Sequence, residues 1–361
     1  MKGDGRMKPL DERLESLREG RRVRPVAPER IPCLETSDPA RLCSRPLVSV
    51  VMVTYNHEPH VRQAIESVLA QRTDFAFELV IGEDCSQDRT REICRDFQRR
   101  FPEIVRVLWW HENVSKQGGN FPRCLARSRG EFVAVCEGDD YWTDPLKLQK
   151  QVELLRATGS VLCVADFRNL LPDGRLEEDA YASDGNISLR DLSRHYFHTS
   201  TYLVRRDDFL QARRRYADIV KWYDVMTLYC LLDCGKVCHL REPVSVYRQT
   251  GKGLATGLSR IERDFLPCLQ LYDLYLHGPV RFRRHVFKRC VKALALPLRR
   301  VCDGEPADDL ILHADELARA YWLVLRHDRL LSFMGLFRHL AFFLRLRKWR
   351  GRGLDVREAA G

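Results

Sequence analysis

The residues with the clearest potential for chemistry are carboxylates that directly follow an apolar segment. The stretch "EFVAVCEGDDYW" (residues 131–142) is apolar and β-branched in its first half and then reaches Asp139, Asp140, Tyr141 and Trp142. Adjacent like charges repel each other, so this pair is costly unless it is solvated or faces a cation. A solvated turn that caps the next helix is the simple alternative.

Two further acidic motifs occupy comparable positions. The apolar segment "FELVIG" (77–82) runs into Glu83, Asp84 and Asp88, and "KWYDVM" places Asp224 at a predicted helix start. Asp84 taken alone could initiate an Asx-turn. Asp224 taken alone is most simply explained as a negative charge at a helix N-terminus.

Strands and helices alternate around these motifs. Apolar runs predict strands over 48–55, 77–82, 105–110, 131–138 and 160–167, and helical spacing predicts helices over 60–71, 88–101, 119–130 and 143–159. This alternation predicts an α/β fold with a doubly wound, mostly parallel sheet. Because ligands bind outside the carboxyl ends of such strands, Asp84 and the Asp139–Asp140 pair are expected on the same rim.

No glycine-rich phosphate loop of a common kind follows the first predicted strand. If the ligand carries phosphates, their charge must be balanced in another way. A divalent cation, Mg²⁺ or Mn²⁺, held by one or two aspartates and by phosphate oxygens would do this. One aspartate would then bind the metal while its neighbour positions ribose or sugar hydroxyls.

Three quoted stretches carry a family resemblance. They are "VSVVMVTYNHEPHVRQAIESVLAQ", "ELVIGEDCSQDRT" and "GNFPRCLARSRGEFVAVCEGDDYWTDPLKLQKQVELL". In order and spacing they resemble the family 2 glycosyltransferases of GT-A (Rossmann-like) fold, most closely the bacterial branch with "EGDDYW". The resemblance covers about residues 46–248 and is strongest up to Leu155. It implies an inverting transfer of a sugar from a nucleotide-diphosphate donor, expected to be a UDP-sugar, to an acceptor hydroxyl in surface polysaccharide or glycan synthesis.

The resemblance also implies roles for individual residues. Asp224 falls where the family has its general base, and Asp139 and Asp140 stand at the metal motif, with the choice of ligand between them open. Tyr141 and Trp142 form either a platform for a sugar ring or core packing beneath the next helix. His198 is interpreted as pocket-lining and is the next candidate for the base. The full set of expected substrate-binding residues is Thr54, Tyr55, Asn56, Asp84, Asp139, Tyr141, Trp142, His198 and Arg248.

Two departures from the family pattern matter. The second strand ends in "GED" where many members have two aspartates, and the metal motif is Gly-Asp-Asp. The Gln-X-X-Arg-Trp motif of the processive branch is absent, and "YRQTGKGLA" stands in its place. The resemblance therefore implies addition of a single sugar rather than polymer synthesis.

The composition divides the 361 residues into three predicted regions. A polar, partly disordered N-terminal extension covers 1–45, the GT-A domain covers 46–258, and a basic helical region covers 259–361. The net charge of +10 and the scattered cysteines fit a cytoplasmic protein that meets anionic partners. After Leu330, an apolar stripe beside arginines predicts either a helix at the inner face of a membrane or a helix packed on the catalytic domain.

Other functions remain open at this level. A sugar nucleotidyltransferase would want a glycine-rich basic loop after the first strand, where "YNHEPH" stands. A nonenzymatic module that binds membrane or nucleic acid would leave the acidic residues unexplained. The expected partners are therefore a nucleotide sugar and a glycan or lipid-linked acceptor, without nucleic acid. The grouping of Cys230, Cys234, Cys238 and His239 could hold zinc, but an apolar helix face explains the first two cysteines better.

Overall fold

The computed structural model describes residues 33–114, 119–217, 219, 224–250, 270–271, 274–275 and 277–289. The strands in this part of the chain are β1 (Leu34–Thr36), β2 (Val48–Thr54), β3 (Phe77–Glu83), β4 (Val105–Trp109), β5 (Phe132–Val135), β6 (Tyr141–Trp142), β7 (Leu162–Leu170), β8 (Leu176–Asp179), β9 (Leu203–Arg205) and β10 (Val237–Arg248). The helices are α1 (Val61–Leu69), α2 (Thr90–Arg100), α3 (Asn120–Arg127), α4 (Lys147–Thr158), α5 (Arg206–Arg215) and α6 (Asp224–Cys234).

The described strands form one ten-stranded sheet in the order β1-β4-β3-β2-β5-β9-β7-β10-β6, with β8 paired to β7. β4, β3, β2 and β5 are mutually parallel. β9 runs antiparallel to both β5 and β7, and β10 is parallel to β7. The predicted α/β fold with a mostly parallel sheet is confirmed, and all of β3 and nearly all of β2 are buried because helices cover both faces.

The structure adds edge strands that the pattern of the sequence did not indicate. β1 lies within the segment predicted as a polar extension, yet it pairs antiparallel with β4. Its Glu35 carboxylate accepts hydrogen bonds from the Arg106 guanidinium at 2.8 and 3.2 Å. β6 contains only Tyr141 and Trp142 and pairs antiparallel with β10, from which it is separated by about a hundred positions in the chain. Such pairings depend on partners that are distant in sequence.

The end of α4 follows its sequence signal, whereas its start lies four residues later than predicted: the helix begins at Lys147, and Leu146 at the N-cap position provides no side-chain cap. Asp144 Oδ1 accepts a hydrogen bond from the backbone N–H of Leu146 at 2.8 Å, which forms an Asx-turn just before the helix. The helix ends at Gly159, whose φ of 63° lies in the left-handed region that favours glycine. α4 therefore follows the two aspartates only after β6 and a short turn.

A buried ion network joins β2, β3, β4 and the segment before β5. Glu78, in β3, is fully buried and its Oε2 accepts from Arg106 at 3.0 Å and from Arg129 at 2.8 Å. Its Oε1 accepts from Ser49 Oγ at 2.6 Å and from the Arg129 backbone N–H at 2.9 Å. Burial on its own would raise the pKa of Glu78, but these hydrogen bonds and the Arg106 charge lower it below its usual value.

Glu78→Gln is expected to lower the free energy of unfolding at pH 7 by about 3–5 kcal/mol, because it removes the charge that compensates buried Arg106. Because the pKa of Glu78 is lower in the folded state, its charge stabilises the fold at pH values above the unfolded-state pKa near 4.5. This contribution is lost as the pH falls through the folded-state pKa. The difference between wild type and variant should therefore shrink in acid. Denaturant unfolding between pH 7 and pH 3 measures it, and Glu92→Gln, in an exposed pair with Arg89, is the matched control that should change little. An equal loss for both variants would contradict this account.

The chain divides into two compact units, one of residues 1–253 with 277–279 and one of residues 254–276 with 280–361. The sheet belongs to the first unit. The segment after Leu330, for which membrane contact was predicted, lies outside the described residues. Within the described ranges, every helix is too short or too polar to cross a bilayer.

Candidate active site

The carboxyl ends of β2 and β3 lie side by side, as parallel pairing requires. The Asp84 backbone N–H donates to the Thr54 carbonyl at 3.0 Å, and Asp84 Oδ1 accepts from the backbone N–H of Val114 at 2.7 Å. Thr54 and Asp84 are each only 2% exposed, whereas the side chain of Tyr55 is 42% exposed. Thr54 and Asp84 are therefore buried beneath the rim, and Tyr55 lies on its surface.

Asn56 has a structural reason to be an asparagine. Its φ of 53° is left-handed, a conformation that asparagine tolerates better than most residues. Its Oδ1 accepts from the backbone N–H of Gln87 at 2.8 Å, and its own backbone N–H donates to Ser86 Oγ at 3.0 Å. These bonds tie the segment after β2 to the segment after β3.

The departure "GED" at the end of β3 is also explained. Glu83 is fully buried, forms an ion pair with Arg91, and accepts a hydrogen bond from the backbone N–H of Ser86 at 2.6 Å. Its carboxylate is engaged inside the protein and not at the rim. The other acidic residue, Asp84, is joined to the end of β2 by its backbone N–H, which donates to the Thr54 carbonyl.

Asp139 and Asp140 point to different surroundings. Asp140 is 2% exposed, and its Oδ1 accepts from the backbone N–H of Arg248 at 2.9 Å while its Oδ2 lies 3.6 Å from His198 Nδ1. Burial, followed by the charges of Glu137 and Asp139, raises the pKa of the Asp140 carboxyl well above its usual range. Asp139 is half-buried, and its Oδ2 lies 3.7 Å from His57 Nε2. The adjacent charges are therefore kept apart, with one carboxyl inside the protein and the other at the rim.

Arg248, at the end of β10, holds this segment in place. Its Nε donates to the Asp139 carbonyl at 2.9 Å, and one terminal nitrogen donates to Gln63 Oε1 at 2.7 Å. The guanidinium carbon lies 5.1 Å from the centre of the Tyr141 ring, a distance suited to a cation–π contact. Gln63, on α1, was not among the predicted site residues, and its polar side chain on an exposed helix face carried no signal of this contact.

His198 lies against the buried carboxyl. Its ring stacks on Tyr247 with 4.3 Å between centres, and its Nδ1 lies 2.8 Å from Ser200 Oγ and accepts from the Ser200 backbone N–H at 3.2 Å. Burial lowers the pKa of His198 to about 3, so the ring is neutral near pH 7. A neutral, buried imidazole with this pKa is a weak base.

The residues present can hold a divalent cation in two arrangements. Among the described residues, Glu137, Asp140 and His198 form a group whose potential ligand atoms lie within 4.8 Å of one another. Asp139 and His57 form a second, more exposed pair. Two carboxylates suit Mg²⁺ or Mn²⁺, and an added imidazole favours Mn²⁺ and later transition metals. Glu137 stands in the quoted "EGDD" motif but was not among the predicted site residues.

The cysteine and histidine grouping considered for zinc is used otherwise. Cys238 is the register partner of Cys163 in the sheet, and His239 Nε2 lies 2.9 Å from Asp166 Oδ1. Both side chains are buried among neighbouring strands. These contacts favour the packing interpretation.

Trp142 lies in the core, which was one of the two roles left open for it. The side chain is 4% exposed, and its indole N–H donates to the Ser200 carbonyl at 2.9 Å. The Lys147 ammonium nitrogen lies 4.2 Å from the ring centre, and burial lowers the pKa of this lysine to about 7. Tyr141 is half-buried beneath Arg248, so a sugar platform remains a prediction for Tyr141 alone.

Asp224 is the first described residue of α6. Its side chain lies outside the described part of the structure, so its role stays a prediction.

Residues 49–210 match the family described as "Glycosyl transferase family 2". An uncharacterized protein of Mycobacterium tuberculosis is 32% identical over 212 residues, which cover 57% of this chain and 60% of that protein. An uncharacterized glycosyltransferase of Nostoc sp. is 30% identical over 214 residues, covering 56% of this chain and 65% of that protein. The crystal structure of S. aureus TarS 1–349 in complex with UDP-GlcNAc has a similar fold, with a TM-score of 0.55 at 17% identity, covering 77% of this chain and 80% of that chain.

Over the matched segment, the chain is similar to the family 2 glycosyltransferases, and its sheet has the GT-A fold. It spans about 60% of the length of the M. tuberculosis relative.

Proposed function

We propose that the protein is an inverting glycosyltransferase that moves one sugar from a nucleoside-diphosphate donor to an acceptor hydroxyl. The observation that supports this most is the arrangement at the rim. Asp84 and Asp139 follow the carboxyl ends of parallel strands within the matched segment, and Arg248, which lies beyond that segment, donates to the Asp139 carbonyl. A rim with carboxylates for a cation and an arginine for phosphate oxygens suits a diphosphate ligand.

In this proposal the nucleoside binds at Thr54, Tyr55, Asn56 and Asp84. Asp84 contributes a carboxylate held by the backbone N–H of Val114, and Tyr55 contributes an exposed aromatic ring. The base is proposed to be uracil, which agrees with the UDP-GlcNAc bound by the structurally similar TarS but rests on the resemblance. Arg248 would lie near the diphosphate.

A divalent cation, Mg²⁺ or Mn²⁺, is proposed to bind at Asp139. Asp140 is less suited because it is buried and its Oδ1 already accepts the Arg248 backbone N–H. Asp140 would instead hold β10 against the Asp139 segment. When bound, the cation supplies the charge that balances the leaving nucleoside diphosphate.

The general base is proposed to be Asp224. Inversion needs one displacement at the anomeric carbon and one base that takes the proton of the acceptor hydroxyl. His198 is the other candidate, but a ring whose pKa is lowered to about 3 accepts a proton poorly at neutral pH. Its stacking on Tyr247 suits a residue that lines the pocket.

The acceptor is proposed to be a glycan or a lipid-linked saccharide in surface polysaccharide synthesis, at the cytoplasmic face of a membrane. This part rests on the resemblance and on the apolar and basic pattern after Leu330. Cosedimentation with vesicles of anionic or neutral lipid tests it, and failure to bind either kind would remove the membrane from the proposal.

A donor panel tests the activity itself. With Mn²⁺, the protein should release UDP from at least one UDP-sugar, slowly with water and faster with a suitable acceptor, and EDTA should stop the release. NMR of the new glycosidic bond should show the inverted anomer. Absence of release or binding across UDP-, GDP- and dTDP-sugars would refute the proposal. Formation of a nucleotide sugar from a sugar phosphate and a nucleoside triphosphate would favour the nucleotidyltransferase instead.

A further inference from the structure

His57 and Asp139 are close but are not hydrogen-bonded. Nε2 of His57 lies 3.7 Å from Oδ2 of Asp139, beyond the range of a side-chain hydrogen bond. Neighbouring ligands of one ion, with bonds of about 2.0–2.2 Å, are separated by roughly 3.0–3.5 Å. The observed separation is only slightly wider than this, so a small rotation of either side chain would allow both atoms to contact one ion.

The backbone fixes where His57 stands. Its N–H donates to Thr90 Oγ1 at 2.9 Å, and its carbonyl accepts from the N–H groups of His60 and Val61 at the start of α1. The imidazole is therefore anchored at a helix start and is not carried on a mobile segment. A ligand that is held in place before the ion binds loses little conformational freedom on binding.

The inner side of the ring is packed against Gly138. A Cβ at Gly138 would lie 2.5 Å from Thr54 Oγ1 and 2.9 Å from His57 Nδ1, so any larger residue would push the Asp139 segment away. Within the described residues, Thr54 Oγ1 and His57 Nδ1 are buried and have no hydrogen-bond partner. Thr54 is 2% exposed, so the ring is closed in on the Gly138 side, and Nε2 is the nitrogen that faces Asp139.

We propose that His57 Nε2 is a nitrogen ligand of the divalent cation, beside the carboxylate of Asp139. The inference rests on the proposed function, because it concerns the cation of that site. The glycine of the Gly-Asp-Asp motif then has a defined purpose, since it lets the carboxylate approach the imidazole. The remaining ligands would be diphosphate oxygens and water.

An imidazole ligand changes which metal the site prefers. Sites with oxygen ligands alone suit Mg²⁺, whereas nitrogen ligands raise the relative affinity for Mn²⁺ and later transition metals. The intact protein should therefore bind Mn²⁺ more tightly than Mg²⁺. His57→Gln should weaken Mn²⁺ binding by about tenfold or more and Mg²⁺ binding much less, which removes most of the preference.

Electron spin-echo modulation of bound Mn²⁺ tests the ligand directly, because an imidazole nitrogen bonded to the ion gives ¹⁴N modulation. The full chain is loaded with Mn²⁺ and inorganic pyrophosphate, which stands in for the donor diphosphate without choosing a base or sugar. His57→Gln and His57→Asn are compared with His198→Gln, which alters the histidine of the buried group. His111→Gln, at an exposed position that is assigned no role, is the matched control.

The expected result is ¹⁴N modulation in the intact protein and in the His198 and His111 variants, and its loss in both His57 variants. Modulation that persists without His57, or that disappears with His198→Gln alone, would overturn the proposal. So would an intact protein that binds Mn²⁺ with no ¹⁴N modulation. This readout does not require sugar transfer, so the two proposals can fail separately. Sugar transfer without a His57-dependent ¹⁴N modulation would refute only the ligand. A His57-dependent ¹⁴N modulation without sugar transfer would refute only the proposed function.

Discussion

Asp139→Asn is expected to abolish metal-dependent donor binding, whereas Asp140→Asn should retain much of it. The asparagine of the first variant keeps the size of the side chain but lacks the charge that attracts the cation. A bound cation stabilises the charge of the transition state by several kcal/mol. Transfer should therefore fall by at least about a hundredfold. Asp140 is buried with a raised pKa, and its neutral form resembles an asparagine that can still accept the Arg248 backbone N–H.

The measurement pairs donor affinity with transfer rate for each variant, with and without Mn²⁺. Asp74→Asn, on an exposed position away from the rim, is the matched control and should behave as wild type. The assignment of Asp139 fails if its variant keeps metal-stimulated donor binding. If Asp140→Asn alone loses that stimulation, the cation belongs to the buried group with Glu137 and His198.

Asp224→Asn should reduce transfer by about a hundred- to ten-thousandfold, with donor affinity nearly unchanged. Asparagine keeps shape and polarity but cannot accept the proton of the acceptor hydroxyl. The base need not touch the diphosphate, so binding of the nucleotide sugar should persist. Single-turnover transfer and calorimetric donor binding on the same preparation separate the two effects.

His198→Gln provides the comparison for the base. If Asp224→Asn transfers normally while His198→Gln does not, the base is the histidine, against the argument from its lowered pKa. Loss of donor binding in Asp224→Asn would instead place that carboxylate in the nucleotide or metal site.

The alternation of the central strands β2, β3, β4 and β5 with helices, and the rim at their carboxyl ends, followed from the sequence alone. Runs such as 48–54 and 77–83 are mostly apolar because both faces of a central parallel strand are covered, and this pattern can be recognised from neighbouring residues. Their alternation with helices places the carboxyl ends together, so Asp84 and the Asp139 segment could be assigned to one rim. A local signal also set the end of α4 at Gly159.

Only the tertiary structure decided how the two aspartates differ. Asp140 turns inward because it accepts the backbone N–H of Arg248, which lies 108 positions later in the chain, and no local pattern specifies that contact. Likewise the buried position of the Trp142 side chain depends on its hydrogen bond to the Ser200 carbonyl. The orientation of the Arg248 guanidinium depends on its hydrogen bond to Gln63, 185 positions away. Propensity and periodicity act between near neighbours, whereas the direction of a side chain at a strand end is set by whichever distant element packs against it.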